Sequence, residues 1–106
     1  MGKKTNRLQG QIGGKEILIL VDSGSSSNFI SEALADQLKC QLVDIPATAV
    51  IVANGGKLTT TYAVTGLNWW TQGHTFSTDL KVLNIQCYDI ILGMEWLEEF
   101  SQMLLT

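Results

Sequence analysis

Short apolar runs, broken by small and polar residues, set the rhythm of this chain. Leu8 to Ile12 alternate weakly, Gly13-Gly14 follows, and after Glu16 comes the unbroken run Ile17-Leu18-Ile19-Leu20-Val21. A Gly-Gly pair between two extended runs predicts a two-residue hairpin. The short β-branched run predicts a central strand buried on both faces. Residues 1–6 are polar and expected to be loose. The run stops at Asp22-Ser23-Gly24-Ser25-Ser26-Ser27-Asn28, a string of turn formers. Ile30, Ala33, Leu34 and Leu38 then recur at helical spacing, with Ser31 placed to cap and Glu32 in the first turn. A short helix over about 31–38 is predicted.

Leu42 to Ile45 reads as a short extended piece ended by Pro46, the sole proline. Val50 to Ala53, then Asn54-Gly55, then Lys57-Leu58 form the strongest local hairpin signal in the chain. Its tip, Ala53 to Lys57, holds only small and polar residues, so it can project and move. Residues 58–70 predict one long strand, with Tyr62 and Val64 on one face and Ala63 and Leu67 on the other. Trp69 and Trp70, being adjacent, must face opposite ways, one toward the core. Gln72-Gly73 turns the chain, with His74 in the turn, and Phe76, Leu80, Val82 and Leu83 continue as a strand. A second apolar run, Tyr88 to Gly93, is followed by Trp96, Leu97, Phe100, Met103 and Leu104 at helical spacing, with Glu95, Glu98 and Glu99 on a solvated face. The pattern predicts a mainly β fold with one or two short helices, a single domain over residues 1–106.

Composition narrows the function. The chain has 106 residues, 45% of them hydrophobic and 16% charged, and its mean hydropathy is +0.16. That apolar balance is expected where a partner subunit covers part of the surface. A net charge of −3 with scattered Lys and Arg argues against nucleic acid as a partner. No apolar run reaches the length of a membrane span, so no membrane partner is expected. The polar start carries no secretory h-region, and Asn6 breaks the myristoylation pattern; a cytoplasmic location is expected. Cys40 and Cys87 stand far apart and form no metal motif with the single His74; buried, reduced thiols are expected in preference to the alternative, a single bridge between them. No dinucleotide, Walker or HExxH motif occurs, so no cofactor and no metal are expected.

What remains is Asp22. A carboxylate ending a buried apolar strand is costly unless it is hydrogen-bonded or used. On its own, Asp22-Ser23-Gly24 reads best as a turn or a cap. Three features taken together change that weighing: the apolar strand with Asp22-Ser23-Gly24-Ser25, the Asn54-Gly55 hairpin, and the second apolar strand ending Ile91-Leu92-Gly93 before a helix. This order and spacing resembles the retropepsin family of aspartic proteases. It looks most like the protease domains of gypsy-type LTR retrotransposons of plants, where ILVDSGSSSNFIS (19–31), VANG (52–55) and YDIILGMEWL (88–97) stand nearly as here. The resemblance covers roughly residues 8–100.

The resemblance implies a retropepsin-like closed β-barrel that works as a homodimer on an extended, apolar peptide within its own polyprotein. Aspartic proteases need two carboxylates that share one proton around a water. One Asp-Ser-Gly per chain makes half a site, so a two-fold dimer would bring Asp22 from each copy to the axis. By the same match Ser23 would donate across that axis, and Ser25 would lie near the outer carboxylate oxygens. The hairpin from about Ile51 to Leu58, with Val52, Ala53, Asn54, Gly55 and Gly56, looks like the flap that closes on substrate. Ile90, Ile91, Leu92 and Gly93 would support the Asp22 strand and line part of the pocket. Activity is expected to be better at mildly acidic than at alkaline pH. Many retroviral members brace the two halves of the site with an acid–arginine pair. Ser26, Ser27, Asn28 and Met94 stand at those positions, so that brace is expected to be missing. Nor is there a clear terminal strand for a dimer. Two other readings compete: a retropepsin-fold binding or dimerisation module that hardly cleaves, and a non-proteolytic barrel in which Asp22 is only a turn residue.

Overall fold

The structure, a computed structural model, describes residues 5–51 and 56–105. Its elements are β1 (Thr5–Ile12), β2 (Lys15–Asp22), β3 (Phe29–Ser31), α1 (Glu32–Gln37), β4 (Val43–Ile51), β5 (Lys57–Thr71), β6 (His74–Leu83), β7 (Ile90–Leu92) and α2 (Met94–Leu105). The strands form one sheet in the order β1-β2-β7-β3-β6-β5-β4. A further pairing, Gln11 with Trp70, brings β1 back against β5, so the sheet curls onto itself and leaves β4 outside the ring. The fold is mainly β with two helices, as the pattern of short runs predicts.

Both expected tight turns are present. Gly13 and Gly14 have φ of 55° and 87°, and Gln72 and Gly73 have 49° and 86°. Two successive left-handed residues match the right-handed twist of the flanking strands. His74 falls just outside its turn, as the first residue of β6 opposite Thr71, and is exposed. Helix α1 starts where expected: the Ser31 hydroxyl accepts the Leu34 N–H at 3.0 Å.

The core lies between the curled sheet and the two helices. Ile19, Ile30, Leu34, Leu80, Ile90 and Leu92 are almost wholly buried. Trp69 is buried and donates its indole N–H to the Thr78 hydroxyl at 2.9 Å, while Trp70 is 41% exposed, so the Trp pair divides as expected. Trp69 stacks on Phe76 at 4.7 Å within the sheet, and Trp96 and Phe100 of α2 meet Phe76 edge-on at 5.5 and 6.1 Å, which fixes α2 against the sheet. Phe100 is half-buried; Glu95, Glu98 and Glu99 face solvent.

Four expectations are corrected. Strand β2 is buried on one face only: Ile17 and Ile19 enter the core, whereas Leu18 is 41% exposed. Both edges of β2 are paired, but its second face borders a cleft rather than a packed layer. Residues 5 and 6 are not loose, because Thr5 and Asn6 pair with Asp22 and Val21. Pro46 does not end its strand. Within the described residues β4 pairs only with β5, and the register slips between Asp44 and Thr48, so the missing N–H of Pro46 falls where the ladder is already interrupted. Ala63 and Leu67 do not share a face: Ala63 pairs with Lys81 on the cleft side, whereas Leu67 pairs with the buried Thr78 and packs against the core. A bulge between Val64 and Leu67 then switches the inward positions from Thr60 and Val64 to Trp69 and Thr71. The Asp79 carboxylate pins that bulge by accepting the Gly66 N–H at 2.8 Å.

Candidate active site

The parallel pairing of β2 with β7 builds the site. Ile19, Leu20 and Val21 face Ile90, Ile91 and Leu92 in register, so both strands end at the same level and Asp22 comes to lie beside Gly93. Asp22 is half-buried. Its Oδ1 accepts the Gly24 N–H at 2.8 Å, and its carbonyl accepts the Ser25 N–H at 3.1 Å. The carboxylate is thus held by the turn it opens, with one oxygen oriented by a backbone dipole.

The loop after Asp22 is tied to the far end of the chain. The N–H groups of Met94 and Glu95, at the start of α2, donate to the carbonyls of Ser25 and Ser26 at 2.8 and 3.2 Å. Asn28 is buried; its Oδ1 accepts the Gly93 N–H at 2.9 Å, and its Nδ2 donates to the Asp79 carbonyl at 3.4 Å. Gly93 leaves no room for a side chain. A Cβ there would lie 2.5 Å from the Ser25 carbonyl oxygen and closer still to that of Ser27. The expected gap in the brace is therefore filled, without charge, by Asn28, which stands where the retroviral pattern has an acid. A primary amide offers both an acceptor and a donor, which is what the buried strand end and the Asp79 carbonyl require.

The Ser25 hydroxyl donates to the Ser27 carbonyl at 2.9 Å and so shapes the loop. Of the β7 residues only Ile91 lines the cleft; Ile90 and Leu92 are wholly buried and support it from the core side. Alternation along the strand dictates that division. Ser23 and Gly24 are exposed at the turn. Asp89 is structural: its Oδ2 accepts the Leu18 N–H at 2.8 Å, and its own N–H donates to the Leu18 carbonyl at 2.9 Å.

Asp22 opens on a cleft of about 790 Å³. Its floor is a row of paired residues, Leu20, Ile91, Phe29 and Lys81, running across β2, β7, β3 and β6. Its roof is the β4–β5 hairpin, where Thr48, Val50, Ile51 and Leu58 reach the cleft and pairing continues to Ile51 with Lys57. Val52, Ala53, Asn54 and Gly55 lie outside the described residues; Gly56 is exposed. Among the described residues no group of His, Cys, Asp and Glu could hold a metal ion, and no helix is long and apolar enough to cross a membrane. Cys87 lines the cleft and is exposed, against the expectation of a core thiol, while Cys40 is half-buried and burial raises its pKa.

A curled β-sheet with an Asp-Ser-Gly turn at the base of a hairpin-roofed cleft is the architecture of a retropepsin-like protease domain. The chain belongs to the family described as PEG10/RTL1 protease domain, which matches residues 18–103. Among solved structures it is similar to the EIAV protease complexed with the inhibitor HBY-793, at TM-score 0.70 and 19% identity, over 92% of this chain and 89% of that one. It is also similar to the retroviral protease-like domain of Ddi1 from Leishmania major, at TM-score 0.67 and 14% identity, over 90% of this chain and 76% of that one. No curated protein matches it.

Proposed function

We propose that this domain is an aspartic endopeptidase of retropepsin type, active as a homodimer in which Asp22 of each copy faces a two-fold axis. The observation that carries this reading is the anchoring of Asp22 at the floor of the cleft, at the common end of β2 and β7 and oriented by the Gly24 N–H. Two such carboxylates would share one proton. The ionised member takes a proton from a bound water as that water attacks the scissile carbonyl carbon. The protonated member hydrogen-bonds the carbonyl oxygen, and a proton then passes to the leaving amine. Strand-like peptide would lie between floor and roof, held by backbone hydrogen bonds. The natural substrate would be a retroelement polyprotein, of the gypsy type that the three sequence segments resemble.

The test is cleavage of a denatured protein by the purified chain over a range of micromolar concentrations, at acidic and neutral pH, beside Asp22→Asn. Cleavage that is lost in the variant and blocked by a statine-type inhibitor supports the reading. A folded chain that cleaves nothing at any concentration leaves the binding or dimerisation module.

A further inference from the structure

Lys81 stands out in the cleft on charge alone. Among the described lining residues it is the sole cation, and Asp22 is the sole anion; the rest are apolar or neutral polar. The protein as a whole carries a net charge of −3, so this cation does not belong to a general basic surface. Alternation on β6 sends Thr78, Leu80 and Val82 into the core and Lys81 and Leu83 to the cleft. Lys81 is half-buried, and its Nζ donates to the Ser27 hydroxyl at 3.1 Å. An ammonium group has three donors, and this hydroxyl takes one of them without neutralising the charge.

We propose that Lys81 makes the cleft selective for peptides that carry a carboxylate side chain two to four residues from the bond presented to Asp22. The inference rests on the reading of the cleft as a peptide site and adds the class of peptide. Lys81 ends the floor row that starts at Leu20, three strand spacings away, or about 14 Å. An extended peptide rises about 3.4 Å per residue, so that span is about four residues. The tether to Ser27 draws the ammonium back toward the Asp22 loop and shortens it. An acidic side chain arriving there pairs with a partly desolvated cation. A basic one meets it with like charge, and that repulsion discriminates as much as the attraction does.

The experiment uses end-blocked random decapeptides, whose only carboxylates are side chains. Asp22→Asn protein, which leaves peptides intact, is immobilised, and the retained pool is sequenced against the input. Glu and Asp are expected to be enriched about fivefold, with the enrichment shrinking at high salt. Lys81→Arg should keep this preference, Lys81→Gln should lose it, and Lys81→Glu should turn it toward Lys and Arg. Wild-type digestion of the same mixture, aligned on the new termini, should place the acidic residue two to four positions from the cut. Retention without acidic enrichment, or enrichment that survives Lys81→Gln, overturns the role of Lys81 and leaves the peptide cleft intact. No retention by any folded variant, together with no digestion by the wild type, overturns the peptide reading and this inference with it.

Discussion

Asn28 and Gly93 are joined in the interior by one hydrogen bond, the Gly93 N–H donating to Asn28 Oδ1 at 2.9 Å across 65 residues of chain. That bond links the loop that carries Asp22 to the end of β7. Removing the amide leaves a buried N–H without its acceptor, which costs more than the net value of an ordinary hydrogen bond. Asn28→Ala is therefore expected to destabilise the fold by about 2 kcal/mol. The fall in Tm would be roughly 8–15 °C, read by thermal or denaturant unfolding.

Gly93 makes the complementary prediction. Backbone carbonyls of Ser25 and Ser27 occupy the space a Cβ would need, and backbone cannot swing aside as a flexible side chain can. Gly93→Ala is expected to cost about 3 kcal/mol or to force the Asp22 loop away from β7. Gly14→Ala meets no atom within 4 Å, so its cost is limited to the strain of a left-handed turn. Denaturant midpoints of the two variants separate these cases. Equal losses would mean that the close approach at Gly93 is not a constraint.

Much of this was legible in the residues. The turns at Gly13-Gly14 and Gln72-Gly73, the cap at Ser31 and the split of Trp69 from Trp70 follow from local chemistry, and the structure has each of them. The brace was not legible, because Asn28 acts on Gly93 through a contact that only the folded chain creates. The exposure of Leu18 was hidden for a related reason. Five consecutive apolar residues look the same whether their second face meets a packed layer or the edge of a cleft. The passage of β4 through Pro46 depended on a bulge set by the partner strand. The placement of Lys81 on the cleft face followed from alternation, but which face of β6 met the core required the topology.

The two thiols should react very differently. Cys87 is exposed at the cleft, whereas Cys40 is half-buried against the core and burial holds its pKa above the ordinary thiol value. Only the thiolate is nucleophilic, so at pH 8 an alkylating reagent should label Cys87 well before Cys40, by about tenfold or more in rate. A raised folded-state pKa also fixes the sign of any stability effect. The folded state holds the Cys40 proton more tightly than the unfolded chain, so this contribution is intact below the ordinary thiol pKa and is lost as pH rises through the raised value. Mass spectrometry of a labelling time course reads the order, and equal rates would contradict the burial of Cys40.

The concentration and pH dependence of cleavage test the shared-proton pair together. If each chain supplies one Asp22, the active species is a pair, and well below its dissociation constant the rate should rise about fourfold when the enzyme is doubled. A site complete within one chain would give a twofold rise instead. The pair must also keep one proton, so the rate should fall as alkaline pH strips it and should be higher under mildly acidic conditions. On that mechanism Asp22→Asn would remove both the ionised base and the shared proton, and is expected to lower the rate by about a thousandfold or more while leaving the Asn28–Gly93 link and the unfolding midpoint nearly intact. A linear dependence on enzyme, or a flat pH profile, would break the symmetric-pair mechanism even if peptide bonds were cut. Loss of cleavage accompanied by loss of the fold would instead assign Asp22 to holding its own turn.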